Sequence, residues 1–211
     1  MRKTRLIFLF ILLGFIGHAQ DAITIKHFGL TIHPLGDNTA KLQPNKLDKN
    51  ARFVMNYGLF LGYEKFVYED LVSLKIIQGF LADCSNGFAM VTHLGVRGAI
   101  YKSEKHRVYV GLGPAFLIRD SWRRFGDEYE PSGYFNETYS KRFGDLQWKA
   151  APIAIDIEYD YAFNPKNQLS FSFTPGVPFA IILSVGWKHW LHIKEFDKFR
   201  PYVPRKWKLK I

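Results

Sequence analysis

The stretch Pro152-Ile-Ala-Ile-Asp-Ile-Glu-Tyr-Asp-Tyr-Ala-Phe163 alternates between large apolar side chains and small or acidic ones. In an extended chain successive side chains point to opposite faces. The isoleucines and aromatic residues therefore share one face, and Asp156, Glu158 and Asp160 share the other. This pattern predicts a β-strand with an apolar face and a row of three carboxylates behind it.

The same alternation recurs along most of the chain and predicts eight strands. Three pairs of these segments are joined by short turns, whereas about eighteen residues separate the first from the second and about thirty separate the fifth from the sixth. Short turns at one end and long loops at the other are typical of a transmembrane β-barrel. The predicted segments are about 25–33, 52–64, 69–83, 87–101, 106–119, 149–163, 167–175 and 177–190.

The composition of the two faces favours a membrane barrel over a soluble one. A soluble barrel of the lipocalin type would be apolar inside and polar outside. Here the polar face is rich in small residues, as a narrow eight-stranded lumen requires. They are Gly58, Gly62, Gly79, Gly95, Gly111, Gly113, Ala154 and Gly186. The apolar face is long enough to cross a bilayer, and aromatic residues cluster at segment ends as an interface girdle does. This girdle is predicted to contain Tyr57, Tyr63, Tyr101, Phe163, Trp187 and Trp190.

The predicted fold class is therefore all-β, an antiparallel eight-stranded up-and-down transmembrane β-barrel with a polar lumen. A soluble periplasmic barrel or sandwich is the alternative. In the membrane barrel the carboxylate row points inward, where unpaired carboxylates would be very costly. Lys75, Arg97, Arg52 and Lys188 lie on the polar faces of other segments and are expected to pair with it. The predicted lumenal binding set is Asp156, Glu158, Asp160, Lys75, Arg97 and His93, with a structural role in plugging the lumen.

The N-terminus has the organisation of a secretory signal peptide. Met1–Arg5 is basic, Leu6–Gly17 is apolar, and cleavage is expected near Gln20. The domain prediction is a signal peptide over 1–20, a β-barrel over 21–190 and a basic, aromatic tail over 191–211. The net charge of +10 comes largely from both ends, with seven of the basic residues in the last twenty-one positions. That distribution favours contact with anionic lipid or solvent and argues against nucleic-acid binding.

Three features of the sequence carry a resemblance: the Ala19-Gln20 ending of the signal peptide, the regular spacing of the predicted strands and the closing Gly186-Trp-Lys-His-Trp190. In these features the chain resembles small eight-stranded outer-membrane barrels of the Bacteroidetes type over about 25–190. The resemblance implies residence in the outer membrane of a Gram-negative bacterium and a structural or interaction role. Among such barrels, lipid A deacylases carry a His-x-Ser element. No histidine of the mature chain has a serine two positions after it, so this element is absent here. A lipid A-modifying hydrolase stays open as an alternative through a spatial pair such as His93 with Ser85. A soluble periplasmic lipid-binding barrel is the other alternative.

The sequence contains no motif that would bind a cofactor or a metal ion. Histidines, carboxylates and the single cysteine, Cys84, show no metal-ligand spacing. Gly111-Leu-Gly113 lacks the rest of a dinucleotide-binding fingerprint. We therefore predict no catalytic residue, no metal and no cofactor, and an interaction protein rather than an enzyme.

Two segments are the predicted contact surfaces. The loop from Arg119 to Trp148 contains aromatic and arginine residues of the kind favoured at contact hot spots. Its candidate partner or ligand residues are Trp122, Arg123, Arg124 and Tyr134. The alternative is that this loop packs on itself over the rim of the barrel. The tail over 191–211 is expected to lie on the inner leaflet of the outer membrane or to dock a periplasmic partner.

Overall fold

The computed structural model describes residues 20–129, 141–176 and 180–192, and almost all of these residues lie in β-strands or the turns between them. Short 3₁₀ helices occupy Ala40–Leu42 and Trp122–Glu128. The strands are β1 (Asp21–Ile32), β2 (Phe53–Tyr68), β3 (Val72–Ala82), β4 (Phe88–Lys102), β5 (His106–Asp120), β6 (Lys141–Phe143), β7 (Leu146–Ala162), β8 (Asn167–Gly176) and β9 (Ala180–His192).

The strands form a closed antiparallel barrel. Their order around the sheet is β5-β4-β3-β2-β1-β9-β8-β7, and a pairing between β5 and β7 closes the ring. The first and last barrel strands, β1 and β9, are neighbours along eleven residue pairs from Asp21↔His192 to Ile32↔Ile181. The short β6 pairs only with the start of β7 and stands outside the ring. The predicted eight-stranded up-and-down barrel is therefore confirmed.

Several strand boundaries differ from the sequence prediction by up to four residues, and two of the differences show why. β1 begins at Asp21, four residues earlier than expected, because the weakly patterned Asp21–Thr24 pairs with both β2 and β9. β6 and the start of β7 lie inside the segment predicted as a long loop, since Lys141↔Trp148 and Phe143↔Leu146 form a small hairpin there. Both differences arise from pairing between strands, which local alternation does not encode.

The two faces of the barrel have the predicted polarity. On β7, Ile153 and Ile155 are 62% and 40% exposed, whereas Asp156 and Glu158, at positions of the opposite parity, are buried. Most positions of the other strands follow the same rule, with apolar side chains outside and polar ones in the lumen. An apolar exterior around a polar interior is the arrangement of a membrane-spanning barrel.

The six residues predicted to form the aromatic girdle face outward with one exception. Five of the six predicted members are exposed on the outer surface, namely Tyr57, Tyr63, Tyr101, Phe163 and Trp187. Trp190 was assigned wrongly, because it is only 1% exposed and lies in the lumen. It follows Trp187 by an odd number of residues, so the alternation of the strand turns it to the other face.

Glycines leave space for large side chains in the narrow lumen. A Cβ at Gly79 would lie 2.2 Å from the Phe60 ring, and a Cβ at Gly111 would lie 2.6 Å from Cγ of Arg97. Small residues on one strand thus accommodate bulky ones on the next, as a fully filled eight-stranded barrel requires. The predicted role of the small residues on the polar face agrees with these contacts.

The barrel has two unlike ends. Short turns at 69–71, 103–105 and 163–166 lie at one end together with Asp21 and His192, and we term this the turn end. The segments 33–52, 83–87 and 121–129 and the strand β6 lie at the other, which we term the loop end. Within the described ranges, no helix has the length and apolar character needed to cross a membrane.

Candidate functional site

The carboxylate row of β7 is the centre of the polar lumen. Asp156, Glu158 and Asp160 point inward and are at most 1% exposed. The strand positions them because isoleucine and tyrosine occupy every alternate position and face outward. Three carboxylates on one strand therefore face strands across the lumen.

Four cations from four strands surround Glu158. The Lys75 Nζ lies 2.5 Å from Glu158 Oε2, while Arg97 Nη2 and Lys188 Nζ lie 2.9 Å and 3.3 Å from Oε1. Lys26 of β1 forms a further ion pair with the same carboxylate. Glu158 thus links β7 to β1, β3, β4 and β9 through the lumen.

A second acceptor, Glu64 of β2, completes the cluster. Arg97 Nη1 and Lys188 Nζ each lie 2.7 Å from an oxygen of Glu64, and the Ser73 hydroxyl donates to it at 2.5 Å. Lys188 also lies 3.0 Å from Asp160. We term the eight charged residues the lumenal charge network: Lys26, Glu64, Lys75, Arg97, Asp156, Glu158, Asp160 and Lys188.

The charges of this network balance, with four cations and four carboxylates all buried. Buried charges are tolerated only when they are paired and hydrogen-bonded, and removing one partner leaves an uncompensated charge. The network is therefore suited to hold the strands of the barrel together across its lumen. Its ion pairs occupy the centre of the lumen.

Two residues expected to face the lumen behave differently from the rest. Arg52, expected to pair with the carboxylates, is exposed and precedes β2, so its assignment to the lumen was wrong. His93 points into the lumen and is 5% exposed, but it lines a small cavity of about 50 Å³ beside Lys75 and Asp156 and forms no ion pair. Sequence reasoning also missed Lys26 and the pairing of Glu64.

An aromatic layer closes the lumen toward the turn end. Phe66 and Trp190 are stacked with ring centroids 4.6 Å apart, and Tyr109 meets Phe66 edge-on at 6.1 Å. Lys188 Nζ lies 4.6 Å from the Tyr109 ring centroid, and Arg97 Cζ lies 5.0 Å from it. These cation–π contacts join the aromatic layer, defined as Phe66, Tyr109 and Trp190, to the lumenal charge network.

At the loop end, side chains from three connecting segments form a packed cap. Leu42, Trp122 and Tyr129 are buried against one another, with Cys84 and Phe125 packed beside them. Trp122 is the residue of the predicted contact loop that anchors this cap, since its Nε1 donates to Asp83 Oδ2 at 2.6 Å. The described part of the loop, up to Tyr129, therefore packs on itself and on its neighbours over the rim.

Arg123 and Arg124 lie on the outer side of this cap. Both side chains are exposed, and Arg124 Nη2 donates to the hydroxyl of Ser85 at 3.0 Å. Arg124 Nη1 lies 3.5 Å from Asp120 Oδ2, and Asp127 and Glu128 of the same segment are also exposed, so this surface carries charges of both signs. Tyr134, the fourth predicted contact residue, lies outside the described residues.

Cys84 is held in an unreactive environment inside the cap. Its Sγ lies 3.9 Å from Nε2 of His33. Burial, with the nearby charge of Asp83, raises the pKa of the Cys84 thiol to about 12. Burial also lowers the pKa of His33. A protonated, half-buried thiol beside a neutral imidazole reacts slowly with thiol reagents.

This inert thiol provides a test of the cap. Asp83 accepts hydrogen bonds from the Ser85 amide, the Ser85 hydroxyl and the Gly87 amide, as well as from Trp122. Because each bond is worth about 1 kcal/mol, Asp83→Ala is expected to speed labelling of Cys84 by a maleimide by about ten-fold or more.

The matched control is Asp127→Ala, which removes an exposed carboxylate near the same cap. Its labelling rate should equal that of the unmodified protein. Equal rates for the Asp83 and Asp127 variants would show that Asp83 does not hold the cap closed.

The geometry offers no catalytic pair for acyl hydrolysis in the described part of the chain. A serine nucleophile needs a histidine within hydrogen-bond reach. The Ser85 hydroxyl instead bonds to Asp83 and Arg124 in the cap, while His93 lies in the lumen. Among the described residues, no group of three or more His, Cys, Asp or Glu side chains could hold a metal ion.

Among the comparisons with known proteins, only the comparison with solved structures finds proteins similar to this chain. No protein-family model and no curated protein matches the chain. The N-terminal β-barrel domain of Pseudomonas aeruginosa OprF is 17% identical, with 82% of this chain and 99% of that chain covered, at a TM-score of 0.41. Neisserial surface protein A is 10% identical, with 82% and 98% covered, at a TM-score of 0.44. Ail, the attachment invasion locus protein of Yersinia pestis, is 13% identical, with 81% and 97% covered, at a TM-score of 0.38. These likenesses concern the fold alone.

Proposed function

We propose that this protein is an outer-membrane β-barrel with a structural or interaction role, and that it is neither a channel nor an enzyme. The observation that carries the proposal is the filled lumen. The lumenal charge network spans the barrel, and the aromatic layer closes it toward the turn end. Because the interior of this barrel is filled, the surfaces that can contact other molecules are its outer wall and its loop-end cap.

The outer wall supports the proposed location in a membrane. Aliphatic residues such as Ile100, Ile153 and Val96 are more than half exposed on this wall. In a soluble protein they would form a large apolar surface in contact with water, which is unfavourable. The signal-peptide pattern and the closed sheet favour the outer membrane, since a barrel has no unpaired edge in lipid. In this orientation the turn end with both barrel termini is periplasmic and the loop end is extracellular.

Fractionation of cells is the direct test of this location. We expect the protein in the outer-membrane fraction, with a faster-migrating gel band before boiling than after it. Recovery in the soluble periplasm without a heat-modifiable band would support the soluble lipid-binding alternative and overturn the proposal.

The extracellular cap is the proposed contact surface. Its exposed Arg123 and Arg124 stand above a rigid base formed by Trp122 and Asp83, so little ordering is required on binding. With the exposed Asp127 and Glu128 of the same segment, they offer charges of both signs to a polar partner. The basic tail beyond His192 lies outside the described residues, and its contact with lipid or a periplasmic partner stays a proposal.

A filled lumen also predicts the electrical behaviour of the protein. Reconstituted into a planar bilayer, the purified barrel is expected to give no steady single-channel conductance, because buried ion pairs occupy the path. A matched preparation of an open porin provides the positive control. Stable conductance steps would show that the lumen is open and would contradict the proposed role.

A further inference from the structure

The outward face of the barrel carries a groove that the proposed function does not use. Its volume is about 500 Å³, within the range of about 300–1,000 Å³ typical of ligand pockets. Its walls are two rows of side chains from neighbouring strands. One row is His27, Val185, Phe171 and Tyr159, and the other is Met55, Leu30, Leu183, Phe173 and Ile157. The buried Ser172 and Ser184 also line the groove between these rows.

A β-bulge in β1 separates these two rows. The pairing of β1 shifts between Phe28 and Leu30 against both β2 and β9. Gly29 lies at this point and has no side chain to fill the space. A Cβ added to Gly29 would lie 3.4 Å from the His27 ring. Bulges commonly adjust the direction of side chains beside functional sites. The groove is thus a local feature of this strand and its neighbours.

His27 is an unusual residue for this surface. It lies near the middle of β1 on the outward face, between Ile25 and the bulge. Among the described residues no group donates to or accepts from its ring. By contrast, the outward-facing Thr92 hydroxyl donates to Gln78 at 2.7 Å, so these two polar groups satisfy one another. An unsatisfied polar group facing hydrocarbon costs free energy, and ionisable residues at such positions commonly mark functional sites.

The dimensions of the groove match a single extended chain. It crosses five strands, from Met55 on β2 to Ile157 on β7, which corresponds to a length of about 19 Å at the usual strand spacing. Its volume divided by this length gives a cross-section of about 26 Å². That width admits one hydrocarbon chain and excludes a folded peptide.

We propose that this groove binds one hydroxylated acyl chain of a membrane lipid, with the chain hydroxyl hydrogen-bonded to the imidazole of His27. The proposal rests on the membrane location proposed above, because the groove is continuous with the lipid-facing wall. The apolar walls select a hydrocarbon chain. The position of His27 far from either end of its strand calls for a polar group on the chain itself rather than in the headgroup.

The test is lipid binding to the full-length protein refolded in detergent, measured by native mass spectrometry. The probes are two phosphatidylglycerols that differ only in a hydroxyl on one stearoyl chain. We expect the unmodified protein to bind the hydroxylated lipid about five-fold more tightly, the size of effect expected from one hydrogen bond. His27→Leu should abolish this preference, and His27→Gln, which retains hydrogen bonding, should restore part of it.

A second pair of variants tests the groove itself. Leu183→Trp fills the groove and should abolish binding of both lipids, whereas Leu94→Trp places the same side chain on the outer face of β4 and should leave binding intact. Heat-modifiable gel mobility verifies that both variants fold. Equal binding by these two variants would overturn the groove, and a preference that persists in His27→Leu would overturn the role of His27. Failure of the proposed function is distinct, since it would be seen as recovery of the protein in the soluble periplasm.

Discussion

Glu158→Leu is expected to lower the free energy of unfolding of the barrel by about 3–5 kcal/mol. The carboxylate of Glu158 is fully buried and contacts Lys26, Lys75, Arg97 and Lys188. Its removal leaves four buried cations with three carboxylates. Urea unfolding in lipid vesicles, followed by tryptophan fluorescence and by heat-modifiable gel mobility, measures the loss.

The matched control for this substitution is Glu104→Leu, which changes an exposed glutamate in a turn at the turn end of the barrel. Exposed charges contribute little to stability, so its unfolding midpoint should stay close to that of the unmodified protein. An unchanged midpoint for Glu158→Leu would show that the lumenal charge network does not support the barrel.

Gly186→Ala is expected to weaken the seam where the first and last strands meet. A Cβ at Gly186 would lie 2.0 Å from the carbonyl oxygen of Ile25 and 2.4 Å from Cα of Lys26. These are backbone atoms, so β1 and β9 must separate to relieve the contact. The cost of overpacking is about 1–3 kcal/mol, and the folded yield in refolding from urea should fall accordingly.

Gly98→Ala is the matched control for the seam, because nothing lies within 4 Å of the Cβ it would add. It makes the same chemical change on β4, away from the seam. Refolding yields measured by gel mobility should separate the two variants. Equal yields would mean that the close approach of β1 and β9 at Gly186 is not required for closure.

The sequence predicts strands and faces well because alternation is a local property. The alternation of side chains along an extended strand predicts that the isoleucines and carboxylates of β7 lie on opposite faces, and the structure places them so. Pairing across the lumen is different, since it depends on strand register and tilt. Lys26 lies near the edge of its predicted segment, and Glu64 was assigned to the polar face without a partner. Neither could be matched to a cation or carboxylate before the strand order was known.

Residues near strand ends mark the other limit of pattern-based prediction. Arg52 follows the parity of β2 but precedes the strand, so it reaches solvent instead of the lumen. Trp190 resembles a girdle residue by type, yet its parity places it with Phe66 and Tyr109 in the aromatic layer. The contact of Trp122 with Asp83 joins residues 39 positions apart and depends on the meeting of two loops. Such contacts follow from the closed barrel and not from local sequence.

The orientation of β7, with Ile153, Ile155 and Ile157 toward lipid, is tested most directly by spin labels at these three positions. The protein would carry Cys84→Ser and be reconstituted in lipid vesicles. Collision of the labels with oxygen, which concentrates in hydrocarbon, should be frequent, and collision with a water-soluble nickel complex should be rare at all three positions. Frequent collision with the nickel complex and little with oxygen would contradict a membrane-spanning barrel with its carboxylates inside.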